Sequence, residues 1–207
     1  MPQVSSENIL WVGLLLAFIF VSNYLTHVFG KQFYESQTNN GKIFDILHEI
    51  TPDLHDYRAY NDIILGLTIV SFFFVPFTLI QEFLGKFILI MFVRALTIVS
   101  TILPKHEKCE PKLDWIQMVK GQCYDKVFSG HTAFVLLATL IFLREGIIGL
   151  PMFFLVNLLN MTSIILTRSH YTIDIILAVV ITYLVYDGDY HVFTNFTKEF
   201  MKNVGKK

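Results

Sequence analysis

Two short motifs hold residue types that do phosphoryl chemistry: Ser129-Gly130-His131 and His170-Tyr171-Thr172-Ile173-Asp174. His170 and Asp174 are four residues apart, so on a helix they share a face and can hydrogen-bond. A carboxylate placed there fixes the imidazole tautomer and stabilises positive charge on the ring, as in a Ser-His-Asp triad. The other ring nitrogen of His170 is left to attack. Both motifs stand where a polar segment gives way to an apolar run, so each opens a helix whose N-terminal amides favour an anion. Phosphorus is the expected centre of attack. Ser129 is placed to cap its helix, and Gly130 lets the backbone approach a phosphate closely. His131 is available as general acid for a departing alkoxide and as general base for an incoming hydroxyl.

The elements that must position these residues are long and apolar. Of 207 residues, 54% are hydrophobic and 16% charged, with 20 Phe; a soluble domain carries about a quarter charged residues. Six runs approach the roughly 17–25 residues that cross a bilayer: 9–29, 62–81, 86–103, 128–146, 150–167 and 171–186. The expected fold is all-α, a polytopic membrane protein built as a bundle of six transmembrane helices. It forms a single domain over 1–207, with a catalytic core at about 42–187 and a basic C-terminal tail at 188–207. The first run lacks a basic leading region and a small-residue cleavage site, so it reads as a retained helix. Pro76 falls inside the second run, where a kink is expected. The net charge of -1 gives no reason to expect nucleic acid as a partner.

Six crossings put the loops 30–61 and 104–127 on one face, together with the turn Arg168-Ser169-His170. The termini and the turns at 81–86 and around Arg144-Glu145 lie on the other face. Both histidine motifs therefore emerge together. Lys and Arg are more numerous on the loop side, but long loops weaken the positive-inside rule. The basic end Lys202, Lys206 and Lys207 fits a cytoplasmic tail near anionic lipid. The expected orientation has cytosolic termini and an exoplasmic or lumenal site. Segment 42–50, followed by Pro52, reads as a short amphipathic helix lying at the interface. Phe193, Phe196 and Phe200 recur at helical spacing beside Lys198 and suggest a second.

Arg94 lies midway along the third run, roughly 13 Å from its loop end. Ionisable groups within a span are functional by default, and the functional reading is a clamp on phosphate. The competing reading is an internal ion pair with Asp174 or Glu82. Asn160, Ser163 and Thr167 form a polar stripe in the fifth run that should face the bundle interior. His48 and His55, among Asp45, Glu49, Asp53 and Asp56, read as a solvated loop rather than a metal site, and no metal or other cofactor is expected. Cys109 and Cys123 share a loop; they are free thiols in cytosol and candidates for a disulfide on an exoplasmic face. The glycosylation patterns at Asn160 and Asn195 fall inside a span and on the cytosolic side, so neither is expected to be used.

Ser-Gly-His followed by His-x-x-x-Asp resembles the phosphatidic acid phosphatase superfamily. Longer strings are similar to the signature blocks of sphingomyelin synthases. These are Arg94-Ala-Leu-Thr-Ile-Val-Ser-Thr-Ile-Leu-Pro104, Cys109-Glu-Pro-Lys-Leu-Asp-Trp115, Cys123-Tyr-Asp-Lys-Val-Phe-Ser-Gly-His-Thr132 and His170-Tyr-Thr-Ile-Asp174. Asp45-Ile-Leu-His-Glu-Ile-Thr-Pro52 resembles the region after the first span in the wider lipid phosphotransferase group. The resemblance implies a six-helix membrane bundle with an exoplasmic site in the Golgi, endoplasmic reticulum or plasma membrane. It makes His131, His170 and Asp174 catalytic, phosphatidylcholine the donor and ceramide the acceptor. Tyr124, Phe128 and Tyr171 are the local aromatic faces for a choline cation. Diacylglycerol as acceptor, ethanolamine or inositol phosphate as donor group, assembly with further copies of the chain, and a catalytically silent lipid-binding role stay open.

The departures matter. Tyr124 stands where a Gly is expected after the Cys of the third block. The pattern of the monoester phosphatases, Lys-x6-Arg-Pro, is broken because Lys86 is one position off and Arg94 is followed by Ala95. Their Ser-Arg pair ahead of the second histidine is Ser163-Ile164 here. A phosphomonoester carries nearly two negative charges and rewards several cations, whereas a diester carries one. The expectation is transfer of a diester headgroup.

Overall fold

The computed structural model describes residues 6–34, 43–112 and 123–188, with the side chains of 6–11 and 33 left aside. The expected second interfacial helix, the basic tail and Asn195 lie outside the described residues. Among the described residues there are seven α-helices and no strand: α1 (Ser6–Tyr34), α2 (Ile46–Ile50), α3 (Ala59–Ser71), α4 (Phe77–Ser100), α5 (Gly130–Arg144), α6 (Leu150–Leu166) and α7 (Thr172–Asp187). Two segments are long and apolar enough to cross a membrane, Val12–Gln32 in α1 and Phe77–Ser100 in α4.

The boundary between the second and third apolar runs is not where the charges put it. The chain turns at a 3₁₀ segment, Phe72–Phe74, and Pro76 caps the start of α4. Residues 81–86 lie inside α4. Proline removes a backbone donor and pushes the residue before it into extended backbone; Val75 is extended (φ -117, ψ 158). Pro76 therefore ends one helix and begins the next instead of kinking one. The charges that resembled a turn are satisfied across the bundle. Arg144 donates to both oxygens of Glu82 at 2.7 Å, and Lys86 lies 3.7 Å from the same carboxylate and donates to the Tyr186 carbonyl. With the break moved, α3 has only 13 residues, about 20 Å of helix. Arg94 falls in the last two turns of α4 rather than midway along its helix.

Helix α5 is the central pillar. It packs against α3, α4, α6 and α7, while α1 lies along α4. The paired positions Phe18 with Phe92, Thr26 with Ile98 and Tyr34 with Ile102 show α1 and α4 running parallel. The ends of α1 and α4 and the starts of α3, α5 and α7 therefore gather at one pole. At the opposite pole Phe72, Phe83, Phe87, Phe134 and Phe142 form a ring cluster around the break.

Polarity is arranged opposite to that of a water-soluble bundle. Thr139, Asn157, Asn160 and Thr182 are buried, while Leu67, Phe73, Phe74, Leu158 and Leu184 are each more than 60% exposed. Apolar exposure on that scale marks a surface made for something other than water, and polar side chains between helices are the usual interior of bundles in lipid. Segment 42–50 yields only the five-residue α2, with Phe44, Ile46 and Ile50 exposed and Asp45 buried.

One glycine is required by a close approach. A Cβ on Gly30 would sit 2.4 Å from Cγ of Tyr124. Tyr124 is completely buried and stacks on Tyr34 at 5.8 Å. Gly30→Ala should therefore push Tyr124 and the segment after it out of place. The expected cost is about 1–3 kcal/mol of overpacking, read as a lower melting temperature in detergent, with activity falling further than stability alone accounts for.

Candidate active site

The pole that holds both histidine motifs is built on two helix starts. Ser129 caps α5: its Oγ accepts the Thr132 amide at 3.2 Å and the Thr132 hydroxyl at 2.9 Å. Ser129 also donates its own amide to the Asp174 carbonyl at 3.4 Å, which ties the first motif to the second. At the start of α7 one oxygen of Asp174 takes the Tyr171 amide at 2.8 Å and lies 3.3 Å from His170 Nδ1. Asp174 is fully buried, and His170 is 7% exposed. The carboxylate thus engages Nδ1 and leaves Nε2 as the ring nitrogen not held by Asp174. Burial holds the His170 imidazole well below its ordinary pKa, so the ring is neutral and its lone pair available. The Ser129–Asp174 bond and the closeness of Gly130 to Arg94 bring the two motifs and Arg94 together.

Arg94 reaches that site beneath the start of α5. A Cβ on Gly130 would lie 3.4 Å from Arg94 Nε, and this nitrogen is buried without a hydrogen-bond partner among the described residues. An orphaned guanidinium donor beside helix N-terminal amides is suited to an anion. The rest of the guanidinium pairs with Asp125. Neither anticipated partner, Asp174 or Glu82, holds it.

Tyr124, Phe128 and Tyr171 are each packed against neighbours of their own. Phe128 is fully buried in the apolar core, and Tyr124 is sandwiched between Tyr34 and Gly30. Tyr171 donates its hydroxyl to the Pro104 carbonyl at 3.4 Å and tilts against the His48 ring. Cys109 and Cys123 are joined by a disulfide. It anchors the segment that carries Asp125 and Lys126.

Several residues at this pole went unassigned in the sequence. Asp62, in the first turn of α3, lies 3.3 Å from His131 Nε2. An acidic residue at the loop end of an apolar run was the available signal. Asp62 is thereby placed to orient the His131 ring. Asp62→Asn should lower kcat by about 10- to 100-fold, the usual cost of losing a ring-orienting partner, with KM little changed; steady-state kinetics would read both. Lys126 is buried, and burial lowers its pKa to about 8. Its ammonium donates to the Arg168 and Ser169 carbonyls. Asp45 serves two helices at once. It accepts the Leu47 and His48 amides of α2 at 3.1 Å and the Thr172 amide of α7 at 2.6 Å.

His55 is buried and His48 half-buried. Each engages the α6–α7 turn, His48 Nε2 at the His170 carbonyl and His55 Nδ1 at the Thr167 carbonyl, both at 3.1 Å. In the fifth run, Ser163 and Thr167 bond to Asn61 of α3, while Asn160 is wholly buried.

Residues 122–192 match the family described as PAP2 superfamily C-terminal, which is 71 of the 207 residues. The matched stretch contains both histidine motifs, Asp125 and Lys126. The match supports a place in the phosphatidic acid phosphatase superfamily, whose members are typically lipid phosphatases or phosphotransferases. It supports an enzyme acting on lipid phosphate and leaves the branch open. No curated protein matches the chain.

Proposed function

We propose that this protein moves phosphocholine from phosphatidylcholine to ceramide through a phospho-histidine intermediate, in the manner of the sphingomyelin synthases. The observation that carries the choice of a diester over a monoester is the balance of charge around the histidines. Three buried cations, Arg94, Lys126 and Arg168, are opposed by Asp45, Asp125, Asp174 and the half-exposed Asp62, and the Arg168 guanidinium is taken up by the His48 carbonyl and the Thr51 hydroxyl. Lys126 lies in the third signature block and its ammonium is taken up by the Arg168 and Ser169 carbonyls. Lys86, the one residue resembling a further phosphatase cation, is about 12 Å along α4 from Arg94 and bonds at the opposite pole. A dianionic phosphomonoester finds too little positive charge here, whereas a monoanionic diester fits.

His170 Nε2 attacks phosphorus, the bond to the diacylglycerol oxygen breaks, and His131 gives that oxygen its proton. His131 then takes the proton of the ceramide hydroxyl. The hydroxyl oxygen attacks phosphorus, the phosphorus–nitrogen bond breaks, and His170 is restored. An apolar groove of about 520 Å³ between α5, α6 and α7, lined by Leu136, Leu140, Phe153 and Val180, offers room for lipid chains below the site. The six longer helices are read as crossings. The disulfide at the catalytic pole favours an oxidising, exoplasmic or lumenal face, as in Golgi, endoplasmic reticulum lumen or plasma membrane.

The test uses purified protein in liposomes, with labelled ceramide or labelled diacylglycerol and each donor phospholipid in turn. Labelled sphingomyelin formed from phosphatidylcholine supports the reading. Labelled product from diacylglycerol alone, or from an ethanolamine or inositol phospholipid alone, moves it to the neighbouring transferases. Phosphate release from phosphatidic acid with no headgroup transfer overturns it.

A further inference from the structure

The turn that presents His170 is held from outside by a row of donors. Five consecutive carbonyls, from Leu166 to His170, accept a hydrogen bond from another part of the chain. The Leu54 amide takes Leu166 at 2.8 Å, and His55 Nδ1 takes Thr167 at 3.1 Å. Lys126 Nζ takes Arg168 at 2.9 Å and also Ser169, and His48 Nε2 takes His170 at 3.1 Å. Within this turn Arg168 has φ +55, a left-handed conformation that is strained for a residue with a side chain and persists only where its surroundings over-determine it. The Arg168 guanidinium supplies part of that restraint, donating to the His48 carbonyl at 2.7 Å and to the Thr51 hydroxyl at 3.0 Å.

We propose that His48, His55 and Lys126 are positioning residues that set the place of the His170 ring, so that segment 43–61 is part of the catalytic apparatus. This rests on His170 being the nucleophile. Nucleophilic attack demands alignment within a fraction of an ångström, and a misplacement of about 1 Å costs about a hundredfold. Asp174 restrains the ring at Nδ1, but the backbone that carries both residues is a strained turn. The donors that grip its carbonyls add to the Arg168 guanidinium and to the turn's own backbone bonds in fixing its place. Both histidines are kept neutral by burial, and a neutral ring has one N–H to give. In that state His48 donates from Nε2 and His55 from Nδ1. The His55 ring is itself fixed by stacking on His106 at 4.2 Å, whose Nε2 lies 3.4 Å from Asp53.

Plain capping of the α6 C-terminus would use some of the same bonds. The two roles separate in kinetics. With full-length protein in liposomes, His48→Leu/His55→Leu is expected to lower kcat by about 10- to 100-fold at nearly unchanged KM. His48→Gln/His55→Asn, which returns an N–H near each lost position, is expected to recover most of that loss. Lys126→Arg should likewise outperform Lys126→Met. If the leucine pair does not fold, His48→Leu alone, which removes one ring bond to the turn, is read the same way. A native kcat per folded molecule in the leucine variants, or no rescue by the amide pair, overturns the proposal. His170→Ala is the control that keeps the two readings apart. Turnover in His170→Ala refutes the nucleophile assignment, while an inactive His170→Ala beside fully active leucine variants refutes the positioning role alone.

Discussion

Replacement of His170 by Ala is expected to lower transfer by about 10⁴-fold or more, the scale on which a lost nucleophile reduces turnover, with expression and melting temperature close to those of the parent. The asymmetry follows from the site. The His170 carbonyl, not its ring, receives His48, and the ring's bond within the site is to Asp174 Oδ2 at 3.3 Å. Asp174 keeps the Tyr171 amide at 2.8 Å when the ring is removed. The turn therefore survives the substitution while the attacking atom does not. Turnover retained in His170→Ala would mean that another group attacks phosphorus. The paired measurement is product formation per folded molecule, with folding followed by size-exclusion profile and thermal melting.

The second large effect concerns Arg94 and Asp125, and it distinguishes a structural ion pair from a phosphate clamp. Both side chains are buried and paired. Arg94→Met leaves a buried carboxylate uncompensated, which is expected to cost about 3–5 kcal/mol of stability. Arg94→Met/Asp125→Leu removes both charges, and most of that loss should return, because apolar replacement of a whole buried pair is often neutral or stabilising. Activity should not return. The orphaned Nε beside Gly130 is absent from both variants, so turnover is expected to stay at least about 100-fold down, near the effect of losing a preorganised donor at a developing charge. A double variant that regains both stability and turnover would reduce Arg94 to a structural role. Thermal melts in detergent and liposome kinetics on the same preparations read the two quantities separately.

The parts of this fold that the sequence made legible are those fixed by local rules. Apolar runs locate the long helices, Ser129 announces a helix start, and the four-residue spacing of His170 and Asp174 foretells their contact. The pole at which both motifs gather follows from counting runs, and the described residues place them together through Ser129 and Asp174. What stayed hidden depends on contacts between segments distant in the chain. Asp62 lies 69 positions from His131, and Lys126 lies 42 from the Arg168 carbonyl. No periodicity encodes those pairings. The break between α3 and α4 was misplaced because Gln81, Glu82 and Lys86 resembled a polar turn, while Pro76 was read as a kink. In the folded chain Arg144 pairs with Glu82 and the Tyr186 carbonyl accepts a hydrogen bond from Lys86, both from neighbouring helices, and the proline does what its missing N–H dictates. His48 and His55 read as solvated because their partners are backbone carbonyls, which carry no sequence signature.

The central claim, headgroup transfer through a covalent bond to His170, is tested most directly by trapping that bond. Purified protein in liposomes is given phosphatidylcholine labelled at phosphorus, quenched in alkali, and mapped by peptide. The expected result is label on the peptide containing His170, stable to alkali and lost in acid, which is chased into sphingomyelin when ceramide is added before the quench. Sphingomyelin formed at full rate with no label ever on the protein, or label on a peptide lacking His170, would contradict it.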